Sequence, residues 1–176
     1  MSRIHIVLPP AAEAPPPVTL PDFITDLRPA ASDPFLALAK AADLVGLAGV
    51  VVPYDPEGPE PLVTAAGLLR ATRHITVFAG IQPWIATPQY AAKLSATLQR
   101  FSGGRLGWYL DDDAESAAFV ETARDFWQRP DGLPEVLSEH AFPRIAFAGN
   151  EESFFAVSHD PGEVYRIGER EPAHVG

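Results

Sequence analysis

The chain has 176 residues, 47% of them apolar, a formal net charge of −10 at pH 7 and no cysteine. That is enough for one domain with a real core, and short for a complete catalytic barrel. The acidic balance repels nucleic acid and anionic membranes, and the lack of Cys excludes disulfides, a thiolate nucleophile and Cys-ligated zinc. No apolar run approaches the length of a membrane span, and residues 4–8 are too short for a signal-peptide core, so the cytoplasm is the expected location.

Residues 3–8 (RIHIVL) form the first expected strand, ended by Pro9 and Pro10. Pro and Ala dominate from there to about residue 31, so residues 9–31 read as a long loop or extended arm within a single domain. Ser32, Asp33 and Pro34 make a good helix start, a side-chain acceptor followed by Pro in the first turn. Phe35, Leu36, Leu38, Ala39, Ala42 and Leu44 give this helix a broad apolar face that continues to Val45, and Gly46 closes it. Residues 49–53 (GVVVP) are a continuous apolar run, as expected of a strand covered on both faces. A second helix is expected from Pro61 to about Ala71, and a third strand at residues 75–81.

Residues 81–113 hold the clearest unit. Thr87 and Pro88 open a helix, and Tyr90, Leu94, Thr97, Leu98 and Phe101 recur at three-to-four spacing along one apolar face. Gly103 and Gly104 end it, because Gly takes the left-handed cap conformation without a Cβ penalty. A fourth strand at residues 105–110 then runs into Asp111, Asp112 and Asp113, which read as capping acids for a helix beginning at Ala114. That helix extends to Trp127, with Phe119, Val120, Ala123, Phe126 and Trp127 on one side. Residues 128–141 carry Pro130, Gly132 and Pro134 and read as an irregular connection. A fifth strand (144–148), a short helix (151–159) and a weaker sixth strand (164–167) complete the pattern. The alternation implies a parallel α/β architecture, and pattern alone does not separate a barrel from a doubly wound sheet.

The five His residues show no metal-ligand spacing, and His5, inside the first strand, reads as a core group. Ser153 lacks a nucleophile-elbow context, and Gly103–Gly104 joins helix to strand, the reverse of a phosphate loop. Trp108, Tyr109 and Trp127 read as wall packing, whereas Trp84 stands where it can stack on a ligand. Arg73, Arg105, Arg144 and Arg166 read as partners for surface acids.

Three runs carry a resemblance: LAKAADLVGLAGVVVPY, PLVTAAGLLRATRHITVFAGIQPWIATPQYAAKLSATLQRFSGGRL and FPRIAFAGNEESFFAVSHDPGEVYRIGE. Together they resemble the bacterial luciferase-like monooxygenase superfamily, in its alkanesulfonate monooxygenase branch, from about residue 35 to 169. The helix with its SGGR turn is the most specific part. The resemblance implies the β/α units of a TIM barrel, here incomplete at about six strands. It implies reduced FMN, or a deazaflavin, at the carboxyl ends of the strands, supplied by a separate reductase for oxidation of a small-molecule substrate by oxygen. On that placement the cofactor-binding candidates are Tyr54, Gln82, Trp84, Asp111, Gly149, Asn150 and Ser153; no catalytic residue is assigned and no metal is expected.

The chain departs from the family pattern at these same positions. The family's Arg before Pro-Gly is replaced by Gln82, Pro83 and Trp84, its small fourth-strand end by Asp111–Asp113, and its Gly-Ser-Ser-like anion loop by residues 149–153 (GNEES). At an effective dielectric of about 20, one like-charge pair at about 4 Å costs on the order of 4 kcal/mol. Two functions are therefore carried forward: a flavin-dependent monooxygenase, and a non-catalytic paralogue that has lost FMN and serves as a binding or partner subunit. An incomplete barrel also leaves strand edges open, which predicts a homodimer or pairing with a full-length homologue. The substrate is not legible, because the shortened 128–141 segment is where the family chooses it.

Overall fold

Helix caps and sheet pairing together set the element boundaries. The structure is a computed structural model that describes residues 4–8, 34–129, 131, 133, 139–148, 153–157 and 164–167. The Pro/Ala-rich loop expected at 9–31 lies outside them. The described elements are β1 (Ile4–Val7), α1 (Pro34–Leu44), β2 (Gly49–Val52), α2 (Pro61–Ala71), β3 (Thr76–Gly80), α3 (Pro88–Ser102), β4 (Leu106–Leu110), α4 (Ala114–Gln128), β5 (Arg144–Phe147), β6 (Ser153–Val157) and β7 (Val164–Ile167). Glu60, Thr87 and Asp113 each accept a hydrogen bond from the amide three residues on, satisfying orphan donors at the starts of α2, α3 and α4. Gly103, at φ 69°, is the left-handed cap of α3.

The strands form one sheet in the order β5-β4-β3-β2-β1-β6-β7. From β1 to β5 each strand pairs in parallel with its predecessor, with one helix between each pair. Every crossover therefore advances in the same direction, and constant handedness puts all four helices on one face. From β1 to β5 the order advances one strand at a time, as in a barrel wall, and β6 then joins the opposite side of β1. One expectation is corrected. The short helix expected at residues 151–159 is replaced by β6, which pairs in parallel with β1, and β7 returns antiparallel beside it. SFFAV is rich in aromatic and β-branched residues, and pairing with the free side of β1 overrides its weak helical pattern.

Alternation along the strands separates two apolar layers. Ile6, Val50, Val52, Val77, Ala79, Leu106, Trp108 and Leu110 face the helices, and Val7, Val51, Phe78, Tyr109 and Ala146 face the other side, the concave side of a barrel wall. Phe78 crosses its neighbour strand at Gly107, where a Cβ would fall 2.4 Å from the Phe78 ring. On the helical side Trp108 is fully buried and its Nε1 donates to Ser95 Oγ at 2.8 Å. Phe119 and Phe142 pack on its ring at 5.9 and 5.1 Å.

The α3 face needs a second correction. Its core side is small and polar: Ala91, Ala92, Ser95, Ala96, Gln99 and Ser102 are buried, while Tyr90, Leu94 and Phe101 are exposed. Small residues let the helix approach the sheet closely enough for Ser95 to reach Trp108. The buried Gln99 side chain accepts from Leu106 N at 3.0 Å and donates to Ala141 O at 3.1 Å, completing backbone pairing where β4 begins. On α1, likewise, Phe35, Ala39 and Ala42 are buried but Leu44 and Val45 are exposed.

Two polar bolts lock the amino ends of the strands. The Asp43 carboxylate accepts from the amides of Arg73, His74 and Ile75 at 2.8, 2.8 and 3.0 Å. Arg105 donates to the carbonyls of Leu69 (2.6 Å), Thr72 (3.2 Å) and Ile75 (3.3 Å), and to Thr72 Oγ1 and Ser102 O. It is thus a C-terminal clamp on α2, not the partner of a surface acid expected from sequence.

Two stability outcomes follow. Gly107→Ala drives a methyl into the Phe78 ring and destabilises by about 1–3 kcal/mol in urea denaturation. Burial alone raises the Asp43 pKa, but its three amide donors outweigh this and leave it below its ordinary 3.8. Its stabilisation is therefore fully present above 3.8 and is lost as pH falls through the lowered native value. Asp43→Asn costs about 1 kcal/mol at neutral pH and flattens the acid limb of the stability profile.

Candidate active site at the carboxyl ends of the strands

Because β1 to β5 run in parallel, their carboxyl ends open on one rim, where loops can converge on a ligand. At the end of β3, Gly80 removes the side chain that would collide with the chain leaving β2: a Cβ there would lie 2.5 Å from Tyr54 N. Tyr54 is thereby held against the next exit, and its ring meets Trp84 edge-on, with centroids 6.3 Å apart and planes at 90°. Trp84 is 65% exposed, unusual for so large an apolar group. On β4, Tyr109 pairs with Gly80 and lies half-buried on the concave side. Burial, and then the neighbouring Asp111, raise its phenol above the ordinary 10.0.

The sequence-derived candidates separate accordingly. Tyr54 and Trp84 are in ring contact, and Asp111, exposed at the exit of β4, acts electrostatically on Tyr109. Gln82 borders a groove between α2 and α3, and its Oε1 is buried with no hydrogen-bond partner among the described residues. Gly149 and Asn150 lie outside the described residues. Ser153 opens β6 opposite Ile4, the first residue of β1, and so stands at the amino edge of the sheet, away from the rim. Tyr109, read from the sequence as wall packing, lies half-buried on the concave side of β4. The signal was available, since Trp108 facing the helices sends its neighbour to the concave side.

Charge divides between the two edges. Asp55, Glu57, Asp111 and Asp112 are on the carboxyl-end loops, with Asp113 committed to its cap, whereas Arg73, Arg105 and Arg144 stand at or before strand amino ends. Among the described residues no group of three or more metal-ligating side chains occurs, and no helix is long and apolar enough to cross a membrane.

Residues 10–138, well over half of the chain, match the family described as luciferase-like monooxygenase. The chain belongs to that family. Among solved structures, this luciferase-like chain is similar to apo-MsnO8, with TM-score 0.53 and 19% identity over 63% of this chain and 40% of that one. It is also similar to the monooxygenase RslO1 from Streptomyces bottropensis, with TM-score 0.50 and 24% identity over 63% of this chain and 45% of that one. These likenesses show a shared fold, and the chain spans less than half the length of either structure.

The described rim fits one part of a flavin and not the other. Tyr54, Trp84 and Tyr109 offer aromatic surface and a hydroxyl for a planar heteroaromatic ring. No described rim residue among the candidates is a cation able to neutralise a phosphate, and Asp111 opposes one. The Tyr109 environment is directly testable. In an absorbance titration of phenolate, the component missing from Tyr109→Phe appears above pH 10.0, and Asp111→Asn moves it back toward 10.0.

Proposed function

We propose that this chain contributes to a flavin site of a luciferase-like monooxygenase, an oxidoreductase acting on a small molecule with reduced FMN supplied by a separate cytoplasmic reductase. The observation that carries the reading is the Tyr54–Trp84 ring contact at the carboxyl ends of β2 and β3, with Tyr109 paired to Gly80 on the adjacent strand, in a chain of this family. A bound reduced flavin supplies the electrons for oxidation of the substrate by oxygen. The residues of the chain have simpler tasks. Trp84 and Tyr54 present ring faces and edges, and Tyr109, packed on the apolar layer of Val7, Val51, Phe78 and Ala146, adds aromatic surface on the concave side.

A second reading is favoured by the acids. Asp111 and Asp112 stand exposed at the exit of β4, where they disfavour a phosphate, and a chain that has lost FMN would serve as a binding or partner subunit. Titration of the purified chain with oxidised and reduced FMN and with riboflavin separates the two. Flavin fluorescence is expected to be quenched on binding, and Trp84→Ala to weaken binding about tenfold. Asp111→Asn is expected to tighten FMN more than riboflavin, since only FMN carries the phosphate. No fluorescence change with either flavin in either redox state, with a reductase present, leaves the non-catalytic reading.

A further inference from the structure

The segments that leave β2, β3 and β4 at the rim (53–60, 81–87 and 111–113) contain no Lys, Arg or His. Their ionisable groups besides Tyr54 are Asp55, Glu57, Glu60, Asp111, Asp112 and Asp113. Two of these acids have local work. Glu60 accepts from Val63 N and Asp113 from Ser116 N, each at 2.7 Å, so carboxylates already occupy the positive ends of α2 and α4. The amino end of α3 is capped by Thr87 and begins with Pro88, which has no N–H. Helix amino ends are where such a rim ordinarily takes a phosphate. Here two are filled by carboxylates and the third has lost a donor.

The remaining acids border the aromatic residues. Gly80 pairs with Tyr109, so Asp111 and Gln82 stand level, each two residues past that pair. The strands that lead to Tyr54 and Asp111 are two spacings apart, about 10 Å, which is about one Debye length at 0.1 M salt. The field of Asp111 is felt on the concave side, where after burial it is the second cause of the raised Tyr109 phenol. Gln82 adds an unmet acceptor and no cation: its Oε1 is buried with no hydrogen-bond partner among the described residues.

We propose that this rim selects its ligand by charge: it takes a planar heteroaromatic ring on an uncharged, hydroxylated tail, with riboflavin the representative, and rejects the phosphorylated form, FMN. The proposal rests on the reading of the rim as a site for a flavin ring and narrows that flavin to its phosphate-free form. With the ring against Trp84 and Tyr54, a tail directed to the β2 exit meets Asp55 and Glu57, and one directed to the β4 exit meets Asp111 and Asp112. Directed inward, it enters the apolar layer of Val7, Val51, Phe78 and Ala146, where an unpaired phosphate is costly to desolvate. A phosphate monoester carries about −1.5 to −2 charge at pH 7, so each of these courses opposes it. Hydroxyl groups are not opposed at either exit. They donate to carboxylates in short, charge-assisted hydrogen bonds, so the acids that repel FMN can hold a polyol tail.

The test is a pair of titrations on the purified 176-residue chain, with riboflavin and with FMN, each followed by quenching of flavin fluorescence. The double variant Asp111→Asn with Asp112→Asn is titrated alongside. At neutral pH and low salt, riboflavin is expected to bind the unsubstituted chain at least about tenfold more tightly than FMN. The gap narrows at about 1 M salt, where the Debye length falls to about 3 Å. It narrows also below about pH 6, where the FMN phosphate takes up a proton. The double variant is expected to bring FMN to within about threefold of riboflavin. Its melting temperature should be unchanged, because both side chains are exposed and Asp113 still caps α4. FMN binding as tightly as riboflavin to the unsubstituted chain overturns the proposal and leaves the ring site standing. A gap that persists in the double variant also overturns it, since the acids of the β4 exit are then not its source. Binding of neither flavin overturns the ring site and the proposal with it.

Discussion

The contact between α3 and β4 governs most of what surrounds it. A parallel strand buried on both faces needs a helix close against it, and here closeness is achieved by lining the helix with Ala91, Ala92, Ser95 and Ala96. The volume those small residues leave is filled from the sheet by Trp108, whose indole N–H finds its acceptor on the same helix. Gln99 then pairs with the first amide of β4, so that strand is fixed at its start as well as its centre. With Trp108 committed outward, Tyr109 faces the concave side and the chain leaves toward the rim at Asp111. The position of the candidate site is thus a consequence of packing on the opposite face. The same small-residue lining also leaves the large apolar residues of α3 turned away from the core.

Charge follows a parallel logic. The amino ends of the strands are held by Asp43 and Arg105, each of which bonds several backbone groups at the end of α2 and the start of β3. Arg105 is consumed by those carbonyls and is not free to meet an anion. Acids gather at the opposite edge, partly because helix starts there want them: Glu60 and Asp113 cap α2 and α4. The polarity of a β/α unit, with helix amino ends at the rim, therefore biases that rim toward carboxylates. Side chains that oppose it there, such as the arginine replaced at Gln82 in the resemblance, have to be placed deliberately.

How much of this was legible in the sequence depends on the range of the determining interaction. Caps are local, so Thr87, Gly103 and Asp113 could be read with their neighbours alone, and the helix and strand limits they define agree with the structure within a residue or two. The helix-plus-SGGR block identified the family before any geometry was known. Burial direction on α3 was not legible, because periodicity finds an apolar face without saying which face the sheet takes. Arg105 gave no local sign of its carbonyl partners, which come from residues 69–75 and 102. For Ser153 the difference is one of element type: read within a short helix at 151–159, it opens a strand beside β1, a pairing between residues about 150 apart in sequence.

The turn between β3 and α3 serves two surfaces. Its residues face in two directions. Trp84 meets Tyr54 above the strand ends, while Gln82 and Ile85 border the groove that runs down between α2 and α3. Among the described residues the buried Gln82 Oε1 has no hydrogen-bond partner, and a buried acceptor left so carries a desolvation cost. One short turn thus borders both the candidate rim and the groove between α2 and α3, so its backbone is shaped by the packing of both.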